Sequence, residues 1–327
     1  MLKAGLLGLG TIGKSHKGVY EWIARENGPV KAEAFFDVSE ELLADTGDAR
    51  TYTNLDTFFA QEQGKLDYVD ICLPTFLHKE VAIKAMRAGF HVLCEKPMAR
   101  NSQEAKEMCD VAKQTGKMLM IAHILRFNGI CDVMREIVQS GKLGKVHSMQ
   151  VSAFSSGLPN GQNNWFKNNK LSGGPILDVH VHDIDAINYI LGTPAYVTAY
   201  APPKAPNETY EYLSSHLVYS DGAHANVTFD YAVPHNQHGR RTYRINCEKG
   251  YLYTNTSTEF VMMDESGKLQ DLLQKTWSMY NEILYFANCL LKGKPCELCL
   301  PEHSADTIRI IEAEIHSADQ MGEKIFL

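Results

Sequence analysis

Short apolar runs and amphipathic segments of helical length alternate along residues 1–123 of the chain. The runs "KAGLLGL", "KAEAFFD", "DYVDICLP", "FHVLCEKP" and "KMLMIAH" are apolar enough for strands that are buried on both faces. Between them, segments such as "FLHKEVAIKAMRAG" and "SQEAKEMCDVAKQTG" show the apolar spacing of helices. This alternation predicts an α/β domain with a doubly wound parallel sheet, a Rossmann fold, over residues 1–123.

The pattern changes in residues 124–327. After one helical segment, "GICDVMREIVQSG", most runs alternate and are rich in Tyr, Val, Phe and Thr, as in "VHSMQVSAFS", "YLSSHLVYS" and "AHANVTFDYA". The segments "SMYNEILYFANCLLKG" and "ADTIRIIEAEIHSADQMG" then return to helical spacing. We therefore predict a second, α+β domain over residues 124–327 with a large, mostly antiparallel sheet.

Composition and charge narrow the class of protein. The 327 residues are 44% hydrophobic and 22% charged, which is ordinary for a globular protein. A formal net charge of −7 argues against nucleic acid as the main partner. No run approaches the roughly 20 apolar residues of a membrane span, and the first residues lack the pattern of a signal peptide. We expect a soluble protein of the cytoplasm that does not bind membranes.

The cysteines do not predict a metal site. Of the eight, Cys296 and Cys299 have C-x-x-C spacing, with His303 nearby. A zinc site would need a second such pair or paired histidines, and none follows. We therefore expect reduced thiols in a reducing compartment.

A G-x-G-x-x-G motif joins the first strand to the first helix. Gly8 permits a tight turn, Gly10 lets a pyrophosphate approach the backbone, and Gly13 lets the helix pack closely on the strand. Asp37 ends the second strand, where a carboxylate would accept hydrogen bonds from the adenosine ribose, which favours NAD over NADP. The loop residues expected to hold the dinucleotide are Gly8, Gly10, Thr11, Ile12 and Gly13.

Polar residues and prolines also follow the later strands. Ligands of such sheets bind beyond the carboxyl ends of the strands. The residues at these ends are Pro74, Thr75, Glu95, Lys96, Pro97, His123 and Arg126. Lys96 directly follows a buried strand, where its ammonium could stabilise alkoxide character on a reacting hydroxyl; a solvated lysine is the alternative.

The segment "GGPILDVHVHDID" contains two histidines and three carboxylates, which suits a metal site, an acid–base pair or a polar surface. Its pattern predicts one helix that begins near Pro175 and ends at Gly192. In one helix Asp178 and His182 share a face, whereas His180 points about 160° away from His182, so the two histidines cannot easily hold one ion. We expect no metal here, and His180 to be packed or hydrogen-bonded away from the chemistry.

The glycine loop, "LPTFLHKEVAIKAMRAGFHVLCEKPMA" and "GGPILDVHVHDID" together resemble the Gfo/Idh/MocA family, which includes glucose–fructose oxidoreductase and inositol dehydrogenase. The resemblance extends over essentially the whole chain and keeps the order of the motifs. It implies hydride transfer between a nicotinamide cofactor and a secondary hydroxyl or ketone of a sugar, cyclitol or related polyol. It also implies an open C-terminal sheet whose outer face forms a homo-oligomer, a dimer or a tetramer.

The resemblance assigns roles to residues of this chain. The E-K-P and D-x-x-x-H motifs place proton transfer on Lys96, Asp178 and His182; a merely structural Asp–His pair is the alternative. The residues implied to line the nicotinamide are Pro74, Thr75, His78, Glu95 and Lys96. The residues expected to contact substrate are Lys96, His123, Arg126, Trp165, Asp178 and His182; His123 and Arg126 follow from their place after a strand, and Trp165 from its polar loop. Trp165 lies in the polar stretch 155–174, where packing is as good an explanation as a sugar contact.

Two other functions fit the same sequence. An enzyme could use bound NAD for transient oxidation, and so catalyse an elimination or glycoside cleavage without net redox change. A non-catalytic regulator could sense the dinucleotide, although it would not need Lys96, Asp178 and His182 together.

Overall fold

The computed structural model describes residues 1–155, 165–166, 168–204, 209–231, 240–255 and 258–327. Their contacts divide the chain into two compact units. Unit 1 comprises Met1–Ile124 and Trp277–Ala305, and unit 2 comprises Leu125–Thr276 and Asp306–Leu327. The units therefore are not two consecutive stretches like the predicted domains 1–123 and 124–327, because residues Trp277–Ala305 pack with unit 1.

Unit 1 is built on a parallel sheet. Its strands are β1 Leu2–Leu7, β2 Val30–Phe36, β3 Arg50–Tyr52, β4 Tyr68–Ile71, β5 His91–Glu95 and β6 Leu119–Ala122. The first five helices are α1 Thr11–Arg25, α2 Glu40–Leu43, α3 Leu55–Glu62, α4 Thr75–Arg87 and α5 Ser102–Thr115. The order of these strands is β3-β2-β1-β4-β5-β6, with every pair parallel. The predicted doubly wound sheet is confirmed, and its order reverses between β1 and β4, where such folds bind ligands.

The strands of unit 1 form a core because their side chains are apolar on both faces. Leu6, Leu7, Ile71, Val92 and Leu93 are all fully buried. The polar ends of the same strands, by contrast, lie at the carboxyl edge of the sheet. The edge that carries the candidate residues is thus fixed by a rigid core.

Unit 2 contains the large second sheet. It begins with α6 Cys131–Gln139, β7 Val146–Phe154, α7 Asn169–Ser172, α8 Gly174–Asp178 and α9 Val181–Leu191. The later strands are β8 Tyr196–Tyr200, β9 Tyr212–Val218, β10 His224–Asp230, β11 Arg240–Cys247, β12 Gly250–Thr254, β13 Phe260–Asp264 and β14 Leu269–Asp271. The chain ends with α10 Ser278–Lys292, which belongs to unit 1, then α11 Pro301–Asp319 and β15 Ile325–Phe326.

Among the described residues this second sheet has the order β14-β13-β12-β11-β7-β10-β9-β8-β15. The β7–β10 pair is parallel and the other pairs are antiparallel, which confirms the predicted topology class. Burial alternates along each strand: in β10, Ala225, Val227 and Phe229 are buried, whereas Asn226 and Thr228 lie on the other face. One face of the sheet is therefore buried in the core, and the other face is accessible to solvent in this chain.

The prediction of one helix from Pro175 to Gly192 is wrong. The structure has two helices, α8 and α9, because the backbone ladder is interrupted between them. The N–H of His180 donates to the carbonyl of Pro175, five residues back, and that of His182 donates to Val179, three residues back. Asp178 ends α8 and His182 lies in the first turn of α9. A constant 100° per residue therefore does not relate these two residues.

None of the described helices combines the length and the apolar character that a bilayer crossing requires.

Candidate functional site

The glycines of the loop after β1 have two different reasons to be glycine. Gly8 has φ +96°, and a Cβ there would lie 2.6 Å from the carbonyl oxygen of Cys72. A Cβ on Gly13 would lie 1.9 Å from the carbonyl oxygen of Gly8, so α1 could not pack against the loop. A Cβ on Gly10 would meet nothing within 4 Å. Packing among the described residues therefore requires Gly8 and Gly13, whereas Gly10 borders open space of the kind that a pyrophosphate needs.

The first turn of α1 borders the same space. Gly10 is the N-cap residue, and no side chain of the described residues caps the helix. Thr11 and Ile12 are exposed. The first backbone N–H groups of a helix have no intrahelical partner and carry partial positive charge, so this end of α1 can accept an anion.

Asp37 lies beside the loop at the end of β2. One carboxylate oxygen accepts the N–H of Leu9 at 2.7 Å, and the other accepts the N–H of Ser39 at 2.9 Å. These two bonds hold the carboxylate in place and leave it further acceptor capacity, because an ionised carboxylate can accept about four hydrogen bonds. Asp37 is thus placed and oriented as a ribose-binding carboxylate would be.

His78 joins the ends of β4 and β5. Pro74 is the N-cap of α4, Thr75 is buried at its first position, and His78 lies one turn further on. The ring atoms of His78 lie 2.7 Å (Nε2) from the carbonyl oxygen of Leu73 and 2.8 Å (Nδ1) from that of Pro97. Burial lowers the pKa of His78, and the two carbonyls act in the opposite direction. The ring therefore fixes the spacing of the two loops that follow these strands.

Lys96 is half-buried at the carboxyl end of β5 and is followed by the cis Lys96–Pro97 peptide bond. Its backbone N–H donates to a carboxylate oxygen of Glu95 at 3.1 Å. Burial of Glu95 raises its pKa, but the hydrogen bond and charge of His16, with the charges of Lys96 and His78, together outweigh burial and hold the pKa below its usual value. Lys96 thus follows a buried, ionised carboxylate.

His16 is part of this cluster, and the sequence analysis missed it. Its Nδ1 lies 2.8 Å from Asp70 and its Nε2 lies 3.1 Å from Glu95. Tyr20 donates to the same Asp70 oxygen at 2.9 Å. A signal was present in the sequence: Gly13, His16 and Tyr20 share the buried face of α1, and a polar residue on such a face needs a partner.

The same cluster contains a possible ligand set, because the nearest polar atoms of His16, Asp70 and Cys72 lie within 4.8 Å of one another. Their contacts have the geometry of hydrogen bonds, with the Cys72 sulfur 3.6 Å from Asp70. Burial raises the pKa of the Cys72 thiol well above its usual value. These groups are arranged to bond with each other.

Cys296 and Cys299, like the other six cysteines, are buried and form no disulfide. The Cys296 sulfur lies 3.3 Å from that of Met118. These thiols are packed in the interior of unit 1.

Unit 2 holds the second part of the predicted constellation. Asp178 is buried at the end of α8, and His182 is half-buried in α9. These two residues lie on separate helices, so it stays a prediction that both side chains face one pocket.

His180, between them, is buried in an ionic cluster. Its Nδ1 bonds Asp183 at 3.2 Å, and its Nε2 lies 3.3 Å from a carboxylate oxygen of Glu314. Arg241 donates to Asp183 at 2.7 Å. Burial alone would lower the pKa of His180, but the carboxylates of Glu314 and Asp183 raise it to about 9. His180 is therefore a buried imidazolium at neutral pH, in keeping with the expectation of a packed, hydrogen-bonded residue.

The three other predicted substrate residues lie in different settings. His123, after β6, is buried with its Nε2 2.9 Å from the Ser304 hydroxyl. Arg126 is only 1% exposed, and its guanidinium donates twice to Asp185, at 2.9 and 2.6 Å. The Trp165 ring stacks on that of Phe166 with centroids 3.8 Å apart. Residues 156–164 and 167 of the polar stretch 155–174 lie outside the described residues.

The structure thus groups the predicted residues within each unit. In unit 1 the glycine loop, Asp37 and the ends of β4 and β5 lie along the carboxyl edge of one sheet, around the point where its strand order reverses. In unit 2 a short break separates α8, with Asp178, from α9, with His182.

Comparison with known families gives two matches in chain order. A model described as "Oxidoreductase family, NAD-binding Rossmann fold" matches residues 2–123. A model of the GFO/IDH/MocA C-terminal domain matches residues 132–253. Together they cover well over half of the chain.

Individual proteins are similar over different lengths. The D-glucoside 3-dehydrogenase of Escherichia coli is 39% identical over 135 residues, which is 40% of this chain but only 37% of that protein. The D-xylose 1-dehydrogenase (NADP(+)) 2 of Haloferax volcanii is 29% identical over 325 residues, which covers 95% of this chain and 96% of that protein.

Among solved structures, levoglucosan dehydrogenase in complex with NADH and levoglucosan superposes with a TM-score of 0.89. The alignment covers 100% of this chain and 99% of that one at 20% sequence identity, so it establishes the fold.

Proposed function

Because the chain belongs to the GFO/IDH/MocA oxidoreductase family, we propose that it transfers hydride between NAD and a secondary hydroxyl, or the matching ketone, of a sugar, cyclitol or related polyol. The observation that carries the proposal is the open glycine loop beside an oriented Asp37 at the switch point of the parallel sheet. The names of the relatives, which refer to a glucoside, xylose and levoglucosan, support a sugar-like substrate.

The cofactor is assigned to unit 1. Gly8 and Gly13 shape the loop, and the N–H groups at the start of α1, near Gly10, Thr11 and Ile12, would hold the pyrophosphate. Asp37 would accept hydrogen bonds from the ribose hydroxyls and repel a 2′-phosphate, which favours NAD over NADP. When bound, NAD supplies the hydride acceptor.

The nicotinamide side is assigned to the ends of β4 and β5. Pro74 and Thr75 begin α4 there, and the buried rings and carboxylates of His78 and Glu95 hold the loops around them. Because the side chains of His78 and Glu95 already bond to other groups of the protein, they would contribute by shaping that side of the site.

Proton transfer is assigned to Lys96, Asp178 and His182. The Lys96 ammonium would donate a hydrogen bond to the reacting hydroxyl and stabilise the negative charge that develops on its oxygen. Either His182 or Lys96 would finally hold the hydroxyl proton, and Asp178 would orient the imidazole of His182 and favour its protonated form. Trp165 would contact the substrate, whereas His123, buried with its Nε2 2.9 Å from the Ser304 hydroxyl, would act from behind the site. Arg126, with its guanidinium bonded to Asp185, would act by holding α9.

The remaining assignments are a cytoplasmic location and a homo-oligomer. Eight reduced thiols suit a reducing compartment. The accessible face of the large sheet carries exposed aromatic side chains, with Phe154 41% and Tyr200 62% exposed. Such residues on an open sheet suit contact with a second copy of the chain. Light scattering of the purified protein tests this, and a monomer at all concentrations contradicts it.

The experiment that tests the function has two readouts. Titration of the purified protein with each dinucleotide should give tighter binding of NAD(H) than of NADP(H), and Asp37→Ala should narrow that difference. Absorbance of the reduced cofactor, with a panel of sugars and inositols, should reveal NADH formed with one class of polyol. Tighter binding of NADP(H) contradicts the cofactor assignment. Product formed without net NADH supports the non-redox alternative, and dinucleotide binding with no conversion supports a sensor.

A further inference from the structure

The carboxylate before Lys96 is held by a histidine from another part of unit 1. His16 lies on α1 and is fully buried, and its Nε2 is 3.1 Å from Glu95. The other oxygen of the same carboxylate accepts the backbone N–H of Lys96 at 3.1 Å. A continuous set of hydrogen bonds therefore runs from α1, through the Glu95 side chain, to the main chain of Lys96.

His16 is itself fixed at its other ring nitrogen. Nδ1 lies 2.8 Å from Asp70 on β4, and Tyr20 donates to that same carboxylate oxygen. Tyr20 and Tyr68 also bond to each other at 2.9 Å. With both nitrogens engaged by carboxylates, the ring has one orientation, and it connects β4 to β5 beneath the glycine loop's helix.

We propose that His16 is a positioning residue for Lys96, which acts by holding the Glu95 carboxylate through Nε2. The inference rests on the proposed function, because it matters for turnover only if Lys96 contacts the reacting hydroxyl. It adds a residue of the dinucleotide-binding helix to the set that determines catalysis, although His16 is too deeply buried to touch substrate.

The charges around His16 agree with this role. The groups that face it are Asp70 and Cys72 at β4, Glu95 on β5, Tyr20 on its own helix and Tyr68 on β4. Burial lowers the pKa of His16, but Asp70 and Cys72 together more than compensate, and the pKa lies well above its usual value. The ring is therefore an imidazolium that donates from both nitrogens, as two carboxylate partners require.

Two amide substitutions of His16 distinguish its bond to Glu95 from its bond to Asp70. In His16→Gln the amide nitrogen can take the place of Nε2 and keep the bond to Glu95; in His16→Asn it can take the place of Nδ1 and keep only the bond to Asp70. We expect His16→Asn to lower kcat about tenfold or more, since a displacement of ~1 Å can cost ~10²-fold, and His16→Gln to recover most of it. NAD(H) affinity should stay within about threefold in both.

His91→Asn is the matched control. His91 lies at the opposite end of β5 and accepts the N–H of Met118 at 2.9 Å, so its replacement disturbs the same strand but not Glu95. We expect its kcat to stay near that of the unmodified protein. Equal kcat values for His16→Asn and His16→Gln, or a loss in His91→Asn as large as in His16→Asn, would overturn the proposal.

A second readout needs no substrate. The second readout is the rate at which a neutral, amine-reactive reagent acylates Lys96, measured by mass spectrometry relative to the other lysines. Compared with the unmodified protein, this rate should change several-fold in His16→Asn and little in His16→Gln or His91→Asn. If the acylation rate of Lys96 is the same in every variant, the positioning role is overturned whether or not a polyol is oxidised. The expected acylation pattern without any polyol conversion supports it and refutes the proposed function instead. If His16→Asn does not fold, Glu95→Gln replaces it, and full kcat in that variant also overturns the proposal.

Discussion

Each unit of the molecule buries one histidine between two carboxylates, and the two clusters differ in charge balance. In unit 1, His16 lies between Asp70 and Glu95, with neutral tyrosine hydroxyls as the further partners. In unit 2, His180 lies between Asp183 and Glu314, and Arg241 adds a second cation.

The difference indicates two kinds of buried histidine. The cluster of His180 has two cations for two carboxylates, all within unit 2, as expected of a group that stabilises the fold. The cluster of His16 has one cation for two carboxylates, and Lys96 directly follows one of these carboxylates, Glu95, in the chain. A cluster with surplus negative charge beside a candidate catalytic lysine suits a role in the site.

The largest expected effects test the residues that each unit contributes to chemistry. Lys96→Ala in unit 1 and His182→Ala in unit 2 should each lower turnover by about 10²–10⁴, because each removes a positioned acid–base group. NAD affinity should stay within a few-fold. Steady-state kinetics with the true substrate measure the loss.

The double variant and Asp178→Asn complete that test. The double variant should lose much less than the product of the two single losses, because the groups act as a unit. Asp178→Asn should shift the pH optimum, because it changes the proton affinity of His182. Near-normal turnover in either folded alanine variant contradicts the assignment and places the proton transfer on other residues.

Breaking the balanced cluster should affect stability and spare turnover. His180→Leu leaves the Glu314 carboxylate buried without its nearest cation, which should cost about 3–5 kcal/mol in the free energy of unfolding. His180→Leu combined with Glu314→Leu should recover much of this, since Arg241 and Asp183 remain paired. Urea denaturation gives the free energies. A double variant that is no more stable than the single one, or that has lost turnover while folded, contradicts the structural role.

The smallest effect is a pH dependence of stability that the His180 cluster should cause. Its folded pKa of about 9 lies above the value of about 6.5 expected in the unfolded chain. Its contribution is therefore complete below pH ~6.5 and is lost as the pH rises through ~9, by about 1–3 kcal/mol. Urea titrations at several pH values should show the loss in the unmodified protein and not in the double leucine variant. If the free energy of unfolding depends on pH equally in both proteins, the pH dependence comes from other groups.

Much of the fold and part of the site could be predicted because the determining interactions are local. The glycine spacing, the alternation of apolar runs with helical segments, and Asp37 after β2 each depend on a few neighbouring residues, and the structure has the corresponding loop, sheet and oriented carboxylate. The family resemblance rested on the same short motifs and is confirmed.

The sequence by itself determined the class of the two sheets, the shape of the glycine loop and the family, because backbone sterics and hydrophobic periodicity act over a few residues. Only the tertiary structure decided the partners of the buried charges, since the ring of His16 meets carboxylates 54 and 79 residues away. It likewise decided the partner of His180, at the break between α8 and α9, where the ring lies 3.3 Å from the carboxylate of Glu314 on α11. A buried charge must find its counterion wherever the fold places one, and no local pattern records that place.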